Sequence, residues 1–168
     1  MRTAYVVRHG RTEFSARGIY SGRTDVPLTE EGHEQAAQAA ESLRRQGVDA
    51  VYTSPLERAR VTAEAIAAAS GTALHVDDRL IEVDYGPIEG LDRSAAEERF
   101  GETFQRWRER PFEAHLLGME PLSDALARAT AVTEDALAGA LRPGARGPPG
   151  DSAAGAHGAR PGLSLIHI

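Results

Sequence analysis

The chain has 168 residues and a net charge of −6, with 25 acidic side chains against 19 Lys and Arg. That length suits one domain with a real core, able to bury roughly 70% of its unfolded surface. The widely spread acid argues against a general binder of nucleic acid or membrane surfaces, and the absence of Cys excludes disulfides, thiolate metal sites and cysteine nucleophiles.

At the N-terminus one Arg and a few apolar residues precede Arg8, too short a stretch for a signal peptide. No apolar run approaches membrane-spanning length, so a cytoplasmic protein is the expectation. Thr3 to Val7 is rich in β-branched and aromatic residues and reads as a buried strand, which Gly10 breaks. Arg8 and His9 therefore sit where strand becomes loop, the place where open α/β sheets keep their chemistry. Residues 10 to 28, rich in Gly, Ser, Arg and Pro, read as a long loop of the kind tied to function. Thr29 is placed to cap a helix running to about Gln46, with Glu30 and Glu31 in its first turn and Ala36, Ala37, Ala40 and Leu43 on its apolar side; Gly47 ends it. Val48 to Tyr52 is a second strand, followed by Thr53-Ser54-Pro55 and an Ala-rich helix to about Ala69, and Thr72 to Val76 is a third strand. This alternation implies a parallel sheet with right-handed crossovers. Residues 77 to 91 form a polar, Gly-punctuated loop carrying Glu82. A helical region with Phe100, Phe104 and Trp107 follows and is broken at Pro111. Beyond Pro121, helical spacing resumes through Leu122, Leu126, Ala129, Val132, Ala136 and Leu137. From Pro143 the chain turns to Gly, Pro and Ala, which offer almost nothing to bury and cannot build a central strand.

Three separated motifs stand in order: Arg8-His9-Gly10 with Thr12-Glu13-Phe14-Ser15 and Tyr20-Ser21-Gly22-Arg23-Thr24-Asp25-Val26-Pro27-Leu28-Thr29-Glu30-Glu31-Gly32, then Thr53-Ser54-Pro55-Leu56-Glu57-Arg58-Ala59-Arg60-Val61-Thr62-Ala63, then Leu80-Ile81-Glu82-Val83-Asp84-Tyr85-Gly86-Pro87-Ile88-Glu89-Gly90. Together they closely resemble the histidine phosphatase superfamily, the group of cofactor-dependent phosphoglycerate mutases and many small phosphatases. The resemblance covers residues 1 to about 142. It implies a phosphoglycerate mutase-like three-layer α/β/α sandwich with a mainly parallel sheet, the site at the strands' carboxyl ends and a helical cap from the middle of the chain. It also requires an apolar strand beyond residue 142, beside the first strand and ending in a second His. The expectation is that this last core strand is lost or frame-shifted, because the codons of Gly147-Pro148-Pro149-Gly150, read one nucleotide later, can spell Val-Leu-Leu-Val. Residues 1–142 are thus read as the domain and 143–168 as a disordered or out-of-frame tail, with Pro161 to Ile168 matching no element of the family. A chain without that strand is expected to fold poorly.

The resemblance assigns phosphoryl transfer through a phosphorylated His. His9 is the nucleophile, Arg8 and Arg58 hold the phosphoryl oxygens as planar charged forks, and Glu82 is the proton donor. Taken without the family, an isolated His or Arg in these places reads more readily as a structural or solvated residue, and Glu82 and Asp84 are nearly equal candidates. Ser15 and Gly22 occupy positions that touch the phosphoryl group or substrate in relatives, although Ser15 replaces a common Asn. Arg11 stands where many relatives have Glu. His157, in Ala156-His157-Gly158-Ala159, falls where the second His-Gly is expected. His33, His75 and His115 read as surface or packing residues. No metal site and no cofactor are expected, since no His or carboxylate pair has ligand spacing and the Arg residues supply the charge.

The function expected is hydrolysis of a small phosphomonoester, with no nucleic-acid or membrane partner and a homodimer left open. Two alternatives stand beside it: mutase-type phosphoryl transfer, and a catalytically inactive phosphate-binding domain because the second-His strand is missing. Arg93, Arg99, Arg106, Arg108 and Arg110 are read as a solvated helix face before a second anion site. Phe104 and Trp107 are read as packing residues before a stacking surface.

Overall fold

The computed structural model describes residues 3–138 and the backbone of residues 163–167. Strand β1 (Thr3–Val7) is followed by a short helix α1 (Glu13–Arg17) inside the segment expected to be loop. A capping box makes this possible: Thr12 Oγ1 accepts the Ser15 N–H, Ser15 Oγ accepts the Thr12 N–H, and Gly18 ends the helix at φ 67°. Helix α2 (Glu30–Arg44) is capped by Thr29, as its sequence predicts, and buries Ala36, Ala40 and Leu43. Strand β2 (Ala50–Thr53), helix α3 (Glu57–Ser70) and strand β3 (Ala73–Val76) follow.

Residues 78–80 and 86–88 make single 3-10 turns in the Glu82 loop. Helix α4 (Arg93–Glu109) bends at Gly101, whose φ of 51° and ψ of −128° interrupt it; a 3-10 stretch (Pro111–Leu117) and helix α5 (Leu122–Ala138) complete the cap and the return to the sheet. Two exposed arginines of α4 pair with acids, Arg106 with Glu113 at 2.5 Å and Arg93 with Glu97 at 4.0 Å, and Arg99 lies over the Phe100 ring. No helix among the described residues is long and apolar enough to cross a membrane.

The expectation of a lost core strand is corrected by β4 (Leu163–His167), which lies between β1 and β2. The sheet has the order β1-β4-β2-β3 and every pairing is parallel, with Val7 and Thr53 both in register with His167. A strand in that gap satisfies a row of backbone groups on each neighbour, and Leu-Ser-Leu-Ile-His has the composition for it. Read from composition alone, these five residues belong with the Gly/Pro-rich tail that precedes them. Gly147 to Gly150 and His157 lie outside the described residues.

Alternation along the strands builds the layers. Val51 faces Ala40, Leu43, Ala63 and Ile66 of α2 and α3, joined by Tyr5 and Val7. Tyr52 faces Leu80 and α5 through Val132 and Ala136 on the other side. Each fully buried Ile or Val side chain contributes about 1.5–3 kcal/mol. A third cluster, Ile88, Ala96, Phe104, Ala114, Leu117 and Met119, holds the cap together, with Trp107 packed against it.

Candidate active site

The loop after β1 is held by backbone against backbone. A Cβ on Gly10 would stand 2.2 Å from the Gly32 carbonyl oxygen, and one on Gly32 would stand 2.1 Å from the Arg11 oxygen, so only glycine lets the loop lie on the first turn of α2. Arg11 N–H donates to Gln35 Oε1 at 2.9 Å and the Arg11 carbonyl accepts the Thr29 N–H at 2.9 Å. His9 therefore leaves the sheet edge on a braced segment.

His9 Nδ1 lies 2.7 Å from the Gly10 carbonyl oxygen. A carbonyl only accepts, so Nδ1 carries the proton and Nε2 keeps its lone pair. Burial pushes the imidazole below its ordinary 6.5, the Gly10 contact and Glu82 oppose this, and the charges of Arg58 and Arg8 add to the lowering. The folded chain thus binds this proton less readily than the unfolded chain. The contribution to stability is full above about 6.5 and declines as pH falls through the window beneath it. Long-range proton–nitrogen NMR of the free chain should find the Nδ1–H tautomer and a titration midpoint below 6.5; an Nε2–H tautomer or a midpoint above 6.5 would contradict this geometry.

Arg58, in the first turn of α3, is 2% exposed. It donates to the Gly22 carbonyl at 2.6 Å and the Thr24 carbonyl at 2.9 Å. Burial pushes its guanidinium down from the ordinary Arg value, opposed by the carboxylates of Glu82, Asp25 and Glu89. The same loop is clasped from its other side: the Glu89 carboxylate accepts the Arg23 and Thr24 N–H groups, each at 2.8 Å, and the Thr24 hydroxyl. Asp25 accepts the Glu57 N–H at 2.9 Å and so ties the loop to the start of α3.

A cavity of about 610 Å³ opens beside these groups, lined by Arg8, His9, Ser15 and Glu82 of the expected set. Arg58 and Gly22 are not among its lining residues, and Gly22 offers its carbonyl to Arg58. The Ser15 hydroxyl donates to the Thr12 carbonyl at 3.0 Å, so in this arrangement its proton serves the α1 cap. Glu82 and Asp84 separate clearly: Glu82 lines the cavity, whereas Asp84 accepts the Gly86 N–H at 2.7 Å and pairs with Arg23 at 3.5 Å. His33 and His115 are exposed, and His75 stacks on Tyr52 at 5.1 Å. His157 lies outside the described residues.

A family model described as the histidine phosphatase superfamily (branch 1) matches residues 4–142. The chain belongs to that superfamily. Phosphoserine phosphatase 1 of Hydrogenobacter thermophilus is 35% identical over 130 residues, which are 77% of this chain and 62% of the relative. The 2,3-bisphosphoglycerate-dependent phosphoglycerate mutase of Mesorhizobium japonicum is 37% identical over 133 residues, 76% of this chain and 64% of the mutase. This chain thus spans under two thirds of either relative. The solved structure of a mycobacterial glucosyl-3-phosphoglycerate phosphatase with VO3 superposes with a TM-score of 0.75 at 29% identity, covering 96% of this chain and 73% of the other.

This member of the superfamily also carries two residues of the site that sequence reasoning gave no role. Besides Glu89, Thr62 is one: its hydroxyl accepts the Gly10 N–H at 3.2 Å and donates to the Arg58 carbonyl at 2.9 Å, joining the His9 loop to the Arg58 turn. Both residues stand inside the motifs that carry the resemblance, but neither is given a role there; for Thr62 the further signal is its place four residues after Arg58, on the same side of a helix. Thr62→Val should leave a buried N–H unpaired, costing about 1–3 kcal/mol, and lower turnover roughly tenfold through misplacement of His9. Thr62→Ser should restore both in thermal unfolding and steady-state assays.

Proposed function

We propose that this histidine phosphatase hydrolyses small phosphomonoesters through a phosphohistidine on His9. The observation that carries the reading is the Nδ1 contact with the Gly10 carbonyl, which leaves Nε2 as the nucleophilic atom in a cavity shared with Arg8 and Glu82. Nε2 attacks phosphorus, the bond to the ester oxygen breaks, and Glu82 gives that oxygen its proton. Arg8 and Arg58 hold the non-bridging oxygens, whose charge needs fixed donors throughout the transfer. Glu82, now a carboxylate, takes a proton from water as the water attacks the phosphohistidine; the P–N bond breaks and phosphate leaves. Gly22 contributes its main-chain N–H, and Ser15 contributes its hydroxyl once that proton turns from the Thr12 carbonyl. His157 is the second imidazole of the scheme, assigned from the resemblance around it. No metal enters these steps.

The mutase reading draws on the match to the Mesorhizobium japonicum mutase. Hydrolysis is favoured because Arg8 at the cavity is solvent-exposed, so water reaches the intermediate. Rapid-quench mixing with a monoester bearing labelled phosphate tests the reading. An acid-labile, base-stable label on the protein with continuing phosphate release is expected. A chain that binds phosphate but neither labels nor turns over would be a binding domain instead.

A further inference from the structure

The cavity is lined by two unlike sets of side chains. Arg8, His9 and Glu82 are the polar set of its lining, and Ile19, Tyr20 and Tyr85 are the apolar and aromatic set. The rings of Tyr20 and Tyr85 lie 5.6 Å apart, and Trp107 braces both, 5.8 Å from Tyr20 and 6.1 Å from Tyr85 with steep interplanar angles. Phe104, fully buried, closes the cluster from behind at 6.1 Å from Tyr20 and 5.6 Å from Trp107. The two tyrosines therefore present fixed aromatic surface to the cavity, and a ligand ring can use it with little further loss of side-chain freedom.

The charges nearby are already matched. Arg11 pairs with Glu31 at 3.0 Å, Arg23 pairs with Asp84 at 3.5 Å and Glu120 at 3.4 Å, and Arg58 is held by two carbonyls. Arg8 has no ion-pair partner among the described residues and is the cation where the phosphoryl group goes. A second anionic group on the leaving alcohol would meet Glu82 and the tyrosines, while Arg11, the other cation of the lining, is already held by Glu31.

We propose that the Tyr20–Tyr85 corner selects phosphomonoesters whose leaving group is neutral and carries an aromatic ring, over short acids with a second negative charge. The inference rests on the phosphatase reading for which side chains of the lining hold the phosphoryl group.

Trp107 is the single tryptophan of the chain and touches both tyrosines, so its fluorescence reports occupancy of the corner. Titration of His9→Ala with 2-phenylethyl phosphate, n-propyl phosphate and 3-phosphoglycerate, all esters of primary alcohols, should give about tenfold tighter binding of the phenylethyl ester than of either other ligand. In Tyr20→Leu and Tyr85→Leu, each combined with His9→Ala, the ratio of phenylethyl to propyl affinity should fall toward one. Because it is a ratio within each variant, a general loss of folded protein does not imitate it. Equal affinities, a preference for 3-phosphoglycerate, or a ratio untouched by both tyrosine changes would overturn the inference. The expected affinity order together with absent turnover of the same esters in the unsubstituted chain would support the aromatic corner and remove the hydrolase reading alone.

Discussion

His9→Ala should abolish the acid-labile protein label and lower phosphate release by a factor on the order of 10⁴ or more, as loss of a covalent nucleophile does. The fold should survive the change. The imidazole is only half-buried and its one hydrogen bond goes to the carbonyl of the next residue, so truncation strands no donor elsewhere, and the thermal midpoint should move by a few degrees at most. Measuring label, release and unfolding on the same preparation separates lost chemistry from lost structure. Retained labelling in His9→Ala would place the phosphoryl acceptor on another residue and undo the assignment of Nε2.

The second large effect is expected at Arg58, where charge and shape can be separated. Arg58→Lys keeps the cation but loses the planar fork that spans the Gly22 and Thr24 carbonyls, so one carbonyl loses its donor and the charge is no longer aimed. A fall in kcat/KM of roughly 10²–10³ is expected, with about 1–3 kcal/mol of stability lost to the unpaired carbonyl. Arg58→Ala removes both donors from a buried site and should cost about 3–5 kcal/mol. Urea titration gives the stability change and steady-state kinetics the catalytic one. Full activity in Arg58→Lys would show that any positive charge suffices and that the fork has no directional role.

The contrast between Arg58 and Glu89 shows what sequence made legible. Arg58 stands in Ser54-Pro55-Leu56-Glu57-Arg58-Ala59 directly after an apolar strand, and both the motif and the strand end pointed to it. Glu89 has a comparable place in the geometry, gathering N–H groups from Arg23 and Thr24; it stands in the third motif, but that contact spans more than sixty positions of chain and the motif does not name its partners. The same holds for the Thr62 bridge to Gly10. Helix α2 was legible from Thr29, two acids and a run of apolar residues at helical spacing, all local signals. Helix α1 was not, because five residues are too few for a period to show and only its capping box marks it. The strand β4 was overlooked because it follows a long Gly/Pro-rich stretch, and its place depends on the open backbone edges of β1 and β2 rather than on its neighbours in sequence. Glu82 and Asp84 could not be told apart from residues alone; the turn at Gly86, which takes up Asp84, distinguishes them.

The placement of Trp107 and Phe104 in the cap, behind tyrosines from two loops, bears on how such a protein diverges. The His9 loop and Arg58 hang from the carboxyl edge of the sheet and are tied to each other through Thr62. The wall opposite them belongs to elements the sheet does not need. Substitutions in that wall can accumulate one at a time and reshape what the cavity accepts while the His9 loop and the Arg58 turn stay as they are, so a change of ligand need not disturb the sheet edge.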